Sequence, residues 1–147
     1  MQKTLFFLFL SILFFSCSLN ADQEKSLNQA IVKYMFAMNN DLFLSKAAAT
    51  HPLFLRHYKS QGTEKFKAHF ATKDSTFTDP VIGKTETSGE VIHVQLQIAL
   101  VGKMSYEKAK DRLNIYAVSE DAGKNWFFIE GKDYESKMCS KFKRLIQ

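Results

Sequence analysis

The chain is predicted to fold as an α+β domain: N-terminal helices first, then a twisted antiparallel β-sheet that the helices roof on one face. Three observations carry that expectation. Between Glu90 and Gly131 the sequence reads as three consecutive strands. In the first of them Ile92, Val94, Leu96, Ile98 and Leu100 alternate with the polar His93, Gln95 and Gln97, the period-two pattern of a sheet with one dry face. Upstream, from Asp22 to Ala71, apolar residues recur at helical spacing. Helices followed by a meander of strands is the order of an α+β domain.

The first twenty-one residues are read as a targeting segment and left out of the fold. Lys3 precedes an apolar run from Leu5 to Phe15, followed by Ser16-Cys17-Ser18-Leu19-Asn20-Ala21, which is the layout of a secretory signal peptide. The run falls short of the roughly twenty apolar residues that span a bilayer. The cut has two candidate positions. Leu13-Phe14-Phe15-Ser16-Cys17 resembles a bacterial lipoprotein box, in which the cysteine is acylated and becomes the new N-terminus. That resemblance implies lipidation at Cys17 and a periplasmic or outer-membrane-anchored protein, with the lipid as its sole membrane contact. The alternative is a cut after Ala21 and a secreted chain beginning at Asp22. Either cut removes Cys17 as a bridging partner, so Cys139 is expected to be a lone thiol.

The domain is expected to run from 22 to 131 as one unit, with 132–147 a basic tail. Asp22 is placed to cap a first helix whose stripe is Leu27, Ala30, Ile31, Tyr34 and Met38. That helix stops at Asn39-Asn40, and Asp41 is expected to cap a second, Leu42 to Ala49. Thr50-His51-Pro52 interrupts the pattern, because the residue before a proline is pushed out of the helical region. Leu53 to Ser60 then reads as a helix with Pro52 in its first turn, ending at Gly62. Thr63 is expected to cap Glu64 to Ala71, with Phe66 and Phe70 four apart on the core side.

Strand chemistry begins at Ser75 and runs to Ile82, with Pro80 marking an edge or a bulge. Gly83 to Gly89 reads as a polar turn region. Met104 and Tyr106 would continue the dry register of the central strand, and Arg112 to Val118 and Trp126 to Ile129 supply the next two. In the tail, Tyr134, Met138, Phe142 and Leu145 form a weak amphipathic stripe among Lys137, Lys141, Lys143 and Arg144.

Helices before a meander, with the first helix ending at Asn39-Asn40-Asp41-Leu42 and the sheet entered through Phe77-Thr78-Asp79-Pro80, resemble the nuclear transport factor 2-like (SnoaL-like) superfamily. The resemblance covers about residues 22 to 131. It implies a cone-shaped domain whose curved sheet wraps a long helix around a pocket, and sheet-to-sheet homodimers are common in that fold. Function does not follow from it, because the fold hosts isomerases, dehydratases, transport factors and binding domains.

Composition narrows the classes. The formal charge of +5 is spread along the 147 residues with no basic run, so the pattern lacks the basic stripe of a nucleic-acid-binding surface. Cys-x-x-Cys and His-x-x-x-His spacings are both missing from the sequence, and neither a metal nor another cofactor is called for. Ser119-x-Asp121-x-Gly123-x-x-Trp126 looks like a single Asp-box, a hairpin staple of β-propeller proteins, where it is structural. Ser119 and Asp121 can accept backbone N–H groups, Gly123 can supply a positive φ, and Trp126 can cover the loop.

Two residues are candidates for chemistry. Asp79-Pro80-Val81 is similar to the run that carries the proton-shuttling carboxylate of ketosteroid isomerases in the same superfamily, which would make Asp79 a general base. More helical sequence precedes the run here than in those enzymes, and their phenol and acid partners have no matching positions. His93 is the second candidate, on the polar side of the central strand. The reading preferred from sequence is an exported, non-enzymatic domain that binds a small apolar ligand or a protein partner, with Tyr34, Met38, Phe66 and Phe70 lining a cavity or filling the core. The rival is an isomerase or lyase using Asp79 or His93.

Overall fold

The computed structural model describes residues 18–72, 75–102 and 111–136. Cys17, Met104, Tyr106, Cys139 and the basic side chains after Ser136 lie outside them.

Helix α1 (Ala21–Asn39) begins earlier than the sequence suggests. Its N-cap is Asn20, not Asp22. Asn20 Oδ1 accepts from the Gln23 N–H at 2.9 Å, and Gln23 Oε1 accepts from the Asn20 N–H at 2.9 Å, a capping box that satisfies two otherwise orphaned donors. Asp22 sits instead in the first turn with Glu24, where a negative charge meets the positive end of the helix dipole. Leu19 packs against the core, so the folded unit starts before Asp22.

Asp41 does not cap the second helix. Its φ is +52°, and this left-handed turn aims its carboxylate at the far loop, where Oδ1 accepts from the Thr72 N–H at 2.7 Å. Helix α2 (Phe43–Ala48) therefore starts without a side-chain cap. Helix α3 (Pro52–Ser60) has proline in its first turn, and the ring of His51 caps it, Nδ1 accepting from the Leu53 N–H at 3.2 Å. Helix α4 (Thr63–Phe70) is entered through Gly62 at φ +94° rather than capped by Thr63. Phe70 is buried and Phe66 half-buried, their ring centres 4.9 Å apart.

The sheet is an open antiparallel meander in the order β1 (Ser75–Ser88), β2 (Val91–Gly102), β3 (Asp111–Ser119), β4 (Phe127–Glu130). The polar stretch from Gly83 to Ser88 is strand, not turn: Thr85, Glu86, Thr87 and Ser88 pair with Val94, His93, Ile92 and Val91. Threonine suits a strand as well as a turn, and here the partner strand decides. Two register shifts in β1, after Thr78 and after Ile82, absorb Pro80 and Gly83.

Directly paired residues share a face, so the register sorts the sheet into two sides. One side carries Ile92, Val94, Leu96, Ile98, Ile115, Ala117 and Phe128. With Leu27, Ile31, Tyr34 and Met38 of α1 it forms the main core. The other side is not left bare, as a one-face roof would leave it. Val118 and Ile129 pack there with Phe54 of α3 and Tyr134 of α5 (Gly131–Tyr134). The interruption at Thr50-His51-Pro52 makes this reversal, because residues 49 to 51 run along the outer edge of β4. Phe128 N–H donates to the Ala49 carbonyl at 2.8 Å, and His51 N–H donates to the Phe128 carbonyl at 3.1 Å. The same contact pairs the outer edge of β4 at Phe128, where an unpaired edge invites strand addition.

Candidate functional site

Between α1 and the sheet the described side chains pack on one another. Tyr34 stacks on Phe128 with ring centres 4.2 Å apart and 13° between planes, and Met38, Val94, Leu96 and Ile98 are fully buried around them. Tyr34 and Met38, read as cavity lining or core, are core. Burial raises the Tyr34 phenol pKa far above its ordinary range.

His93 lies on the other side of the sheet, 2% exposed, beneath α5. Its Nδ1 is 2.8 Å from the Tyr134 hydroxyl, and Tyr134 in turn stacks on Tyr116 at 3.6 Å and 9°. Burial pushes the His93 pKa down to about 4, so the ring is neutral at physiological pH. Asp79 is far different in setting. It is exposed, at φ +47°, in the first irregularity of β1 beside Pro80.

A polar cluster without a sequence signature gathers on α2, α3, α4 and the β4–α5 junction. Lys46 Nζ, buried, reaches Glu130 Oε1 at 3.1 Å, and Lys132 Nζ takes Glu130 Oε2 at 3.1 Å. Burial opposes the charge on Glu130, but the two lysines outweigh it and hold its carboxyl below the usual range. The Tyr58 hydroxyl lies 2.8 and 3.0 Å from the two oxygens of Asp133. His69 stacks on Tyr58 at 3.4 Å, with Nε2 4.0 Å from Asp133. Burial raises the Tyr58 pKa, with help from the Asp133 hydrogen bond, and lowers that of His69. Donors and acceptors here are matched to one another, an arrangement that fastens helices to the sheet. No short motif announces it, since its members are spread over more than eighty positions.

The hairpin between β3 and β4 is held by its own side chains. Ser119 Oγ donates to Asp121 Oδ1 at 2.8 Å and accepts from the Gly123 N–H at 2.8 Å. Asp121 Oδ1 accepts from the Asn125 and Lys124 N–H groups at 2.9 and 3.2 Å. Hydrogen bonds from the Asn125 backbone and side chain hold the Asp121 carboxyl at about 2. Gly123 has φ +85°, and the Trp126 indole N–H donates to its carbonyl. The loop is also tied to both sides of the sheet. Gln23 of α1 donates to the Ala122 carbonyl at 3.1 Å. On the other side His51 Nδ1 is already an acceptor, so the ring proton is on Nε2 and donates to Glu120 at 3.2 Å.

Concavities open at the surface. One, of about 250 Å³, lies between α1 and the hairpin and is lined in part by Ser26, Lys33, Lys124 and Trp126. Another, of about 290 Å³, lies between β3 and α5 beside Asn114 and Glu130. Among the described residues no group of three or more His, Cys, Asp or Glu side chains could hold a metal ion, and no helix is long and apolar enough to cross a membrane.

Fold and side chains together define a small α+β domain on an open four-stranded antiparallel meander, with helices N-terminal to the sheet. Comparison with family models, with curated proteins and with solved structures finds no match to this chain.

Proposed function

We propose that this is an exported, lipid-anchored, non-enzymatic binding domain of nuclear-transport-factor-2-like build, tethered to the bacterial envelope through Cys17 and associating through the open half of its sheet. The observation that carries the reading is at the N-terminus. Asn20 caps α1 and Leu19 packs on the core, so a cut after Ala21 would remove both. It would also leave a free ammonium at the positive end of the helix dipole. A cut before Cys17 keeps them. Losing the cap alone costs about 1 kcal/mol.

Binding is favoured over proton transfer by the settings of the two candidate residues. A pocket acid or base is half desolvated and reachable. Asp79 stands in open solvent, and His93 is sealed beneath Tyr134. The binding face is the part of the sheet that α3 and α5 leave uncovered. There Gln97 and Asn114 are exposed and Val81 is 47% exposed.

The partner proposed for it is a second copy. Glu86 and Arg112 occupy opposite corners of the face, Glu86 across from His93 and Arg112 across from Ala99, about 20 Å apart along the strand. A two-fold axis lying between the two faces, perpendicular to the line that joins these two residues, brings Glu86 of each copy onto Arg112 of the other.

Intact mass of the mature chain, purified from the envelope of a bacterial host, tests the anchor. The expected product begins at a diacylated or triacylated Cys17 and partitions into the membrane fraction, and Cys17→Ser releases it. An unmodified chain starting at Asp22 overturns the reading.

A further inference from the structure

The geometry points to the groove between α1 and the β3–β4 hairpin as a binding site for a compact oxyanion, the carboxylate or phosphate of a small molecule. The groove holds about 250 Å³, below the roughly 300–1,000 Å³ of drug-sized sites, so it suits a small ligand. Its lining includes Lys33 and Lys124 and no carboxylate. Lys33 and Lys124 come from segments 91 positions apart in sequence, and among the described residues neither ammonium is engaged in a salt bridge.

The site is built on fixed elements. Ser26, Gln29 and Lys33 share one stripe of α1, at helical spacing. Lys124 and Asn125 are positioned by the Asp121 carboxylate, which accepts both backbone N–H groups. Ser26 clamps helix to hairpin, since its hydroxyl donates to the Lys124 carbonyl at 3.3 Å and accepts from the Trp126 indole at 3.1 Å. Ala30 and Ala49 also line the groove, and the Ala49 backbone is pinned by its bond to Phe128. The Gln29 amide is the neutral donor left to complete the shell around an anion. An oxyanion between two ammonium groups and an amide, over a floor of alanine and aromatic carbon, gains charge-assisted hydrogen bonds without displacing any internal one.

The groove lies on the α1 side of the sheet, so it stands or falls independently of the dimer face. Trp126, the single tryptophan of the chain, lines it and reports on it. The test is a fluorescence titration of the purified mature chain with inorganic phosphate and, separately, with succinate, at constant ionic strength, with chloride as the control. A saturable change with at least one oxyanion and none with chloride is expected. The K33Q/K124Q double variant should weaken it about tenfold while keeping the parent melting temperature, and A30L should abolish it by filling the groove. A response to phosphate alone assigns a phosphoryl ligand, and one to succinate alone a carboxylate. No saturable response to either, an equal response to chloride, or an unchanged affinity in the double variant overturns the site.

Discussion

A Cβ placed on Gly123 would lie 2.7 Å from Cγ of Gln23. The tip of the β3–β4 hairpin thus meets the first turn of α1 at backbone distance, and the same Gln23 donates to the neighbouring Ala122 carbonyl and closes the capping box. Helix start and hairpin are one joint.

Gly123→Val strikes that joint twice. The residue holds φ +85°, which a β-branched side chain tolerates poorly, and the new methyl groups collide with Gln23. The expected loss is about 2 kcal/mol or more, read as a fall in melting temperature. Gly123→Ala should lose less, because alanine shares the collision but not the β-branch. An unchanged melting temperature in the valine variant refutes the account.

His93 should make stability depend on pH. Its pKa is lowered from 6.5 to about 4 on folding, chiefly by burial, so between those values the unfolded chain binds the extra proton. Stability then rises with pH across this window, and it is lost as pH falls from about 6.5 toward 4. The full effect is at most about 3 kcal/mol. His93→Gln keeps a hydrogen-bonding partner for Tyr134 without a titrating ring. Urea denaturation at pH 4.5 and 7 should show a smaller gap in that variant than in the parent, and equal gaps exclude His93 as the source.

Charge reversal tests the dimer face. In the proposed dimer Glu86 of one copy would face Arg112 of the other, and Arg112→Glu would place like charges at both corners. Sedimentation velocity should shift toward monomer, and E86R/R112E should restore the dimer. A parent chain that sediments as a monomer at every concentration removes the sheet interface.

What the amino-acid order decided by itself was local. Alternation from Ile92 to Leu100 sets a strand whichever partner it finds, because a period of two admits no other dry surface. The hydrogen bonds of Ser119, Asp121, Gly123 and Asn125 join residues two to four positions apart, and Pro52 opens a helical turn wherever the chain goes next. Tertiary structure decided the rest. That Gly83 to Ser88 is strand depended on pairing with β2, since threonine and serine fit turns and strands alike. Asn20 rather than Asp22 became the cap because Gln23 was the residue in reach of both Asn20 and the distant hairpin. The second core under Phe54 and Tyr134, and the network from Lys46 to Asp133, exist because three residues carry the chain around the edge of β4. Contacts between positions dozens apart have no period and no motif, so only the closed fold could bring them together.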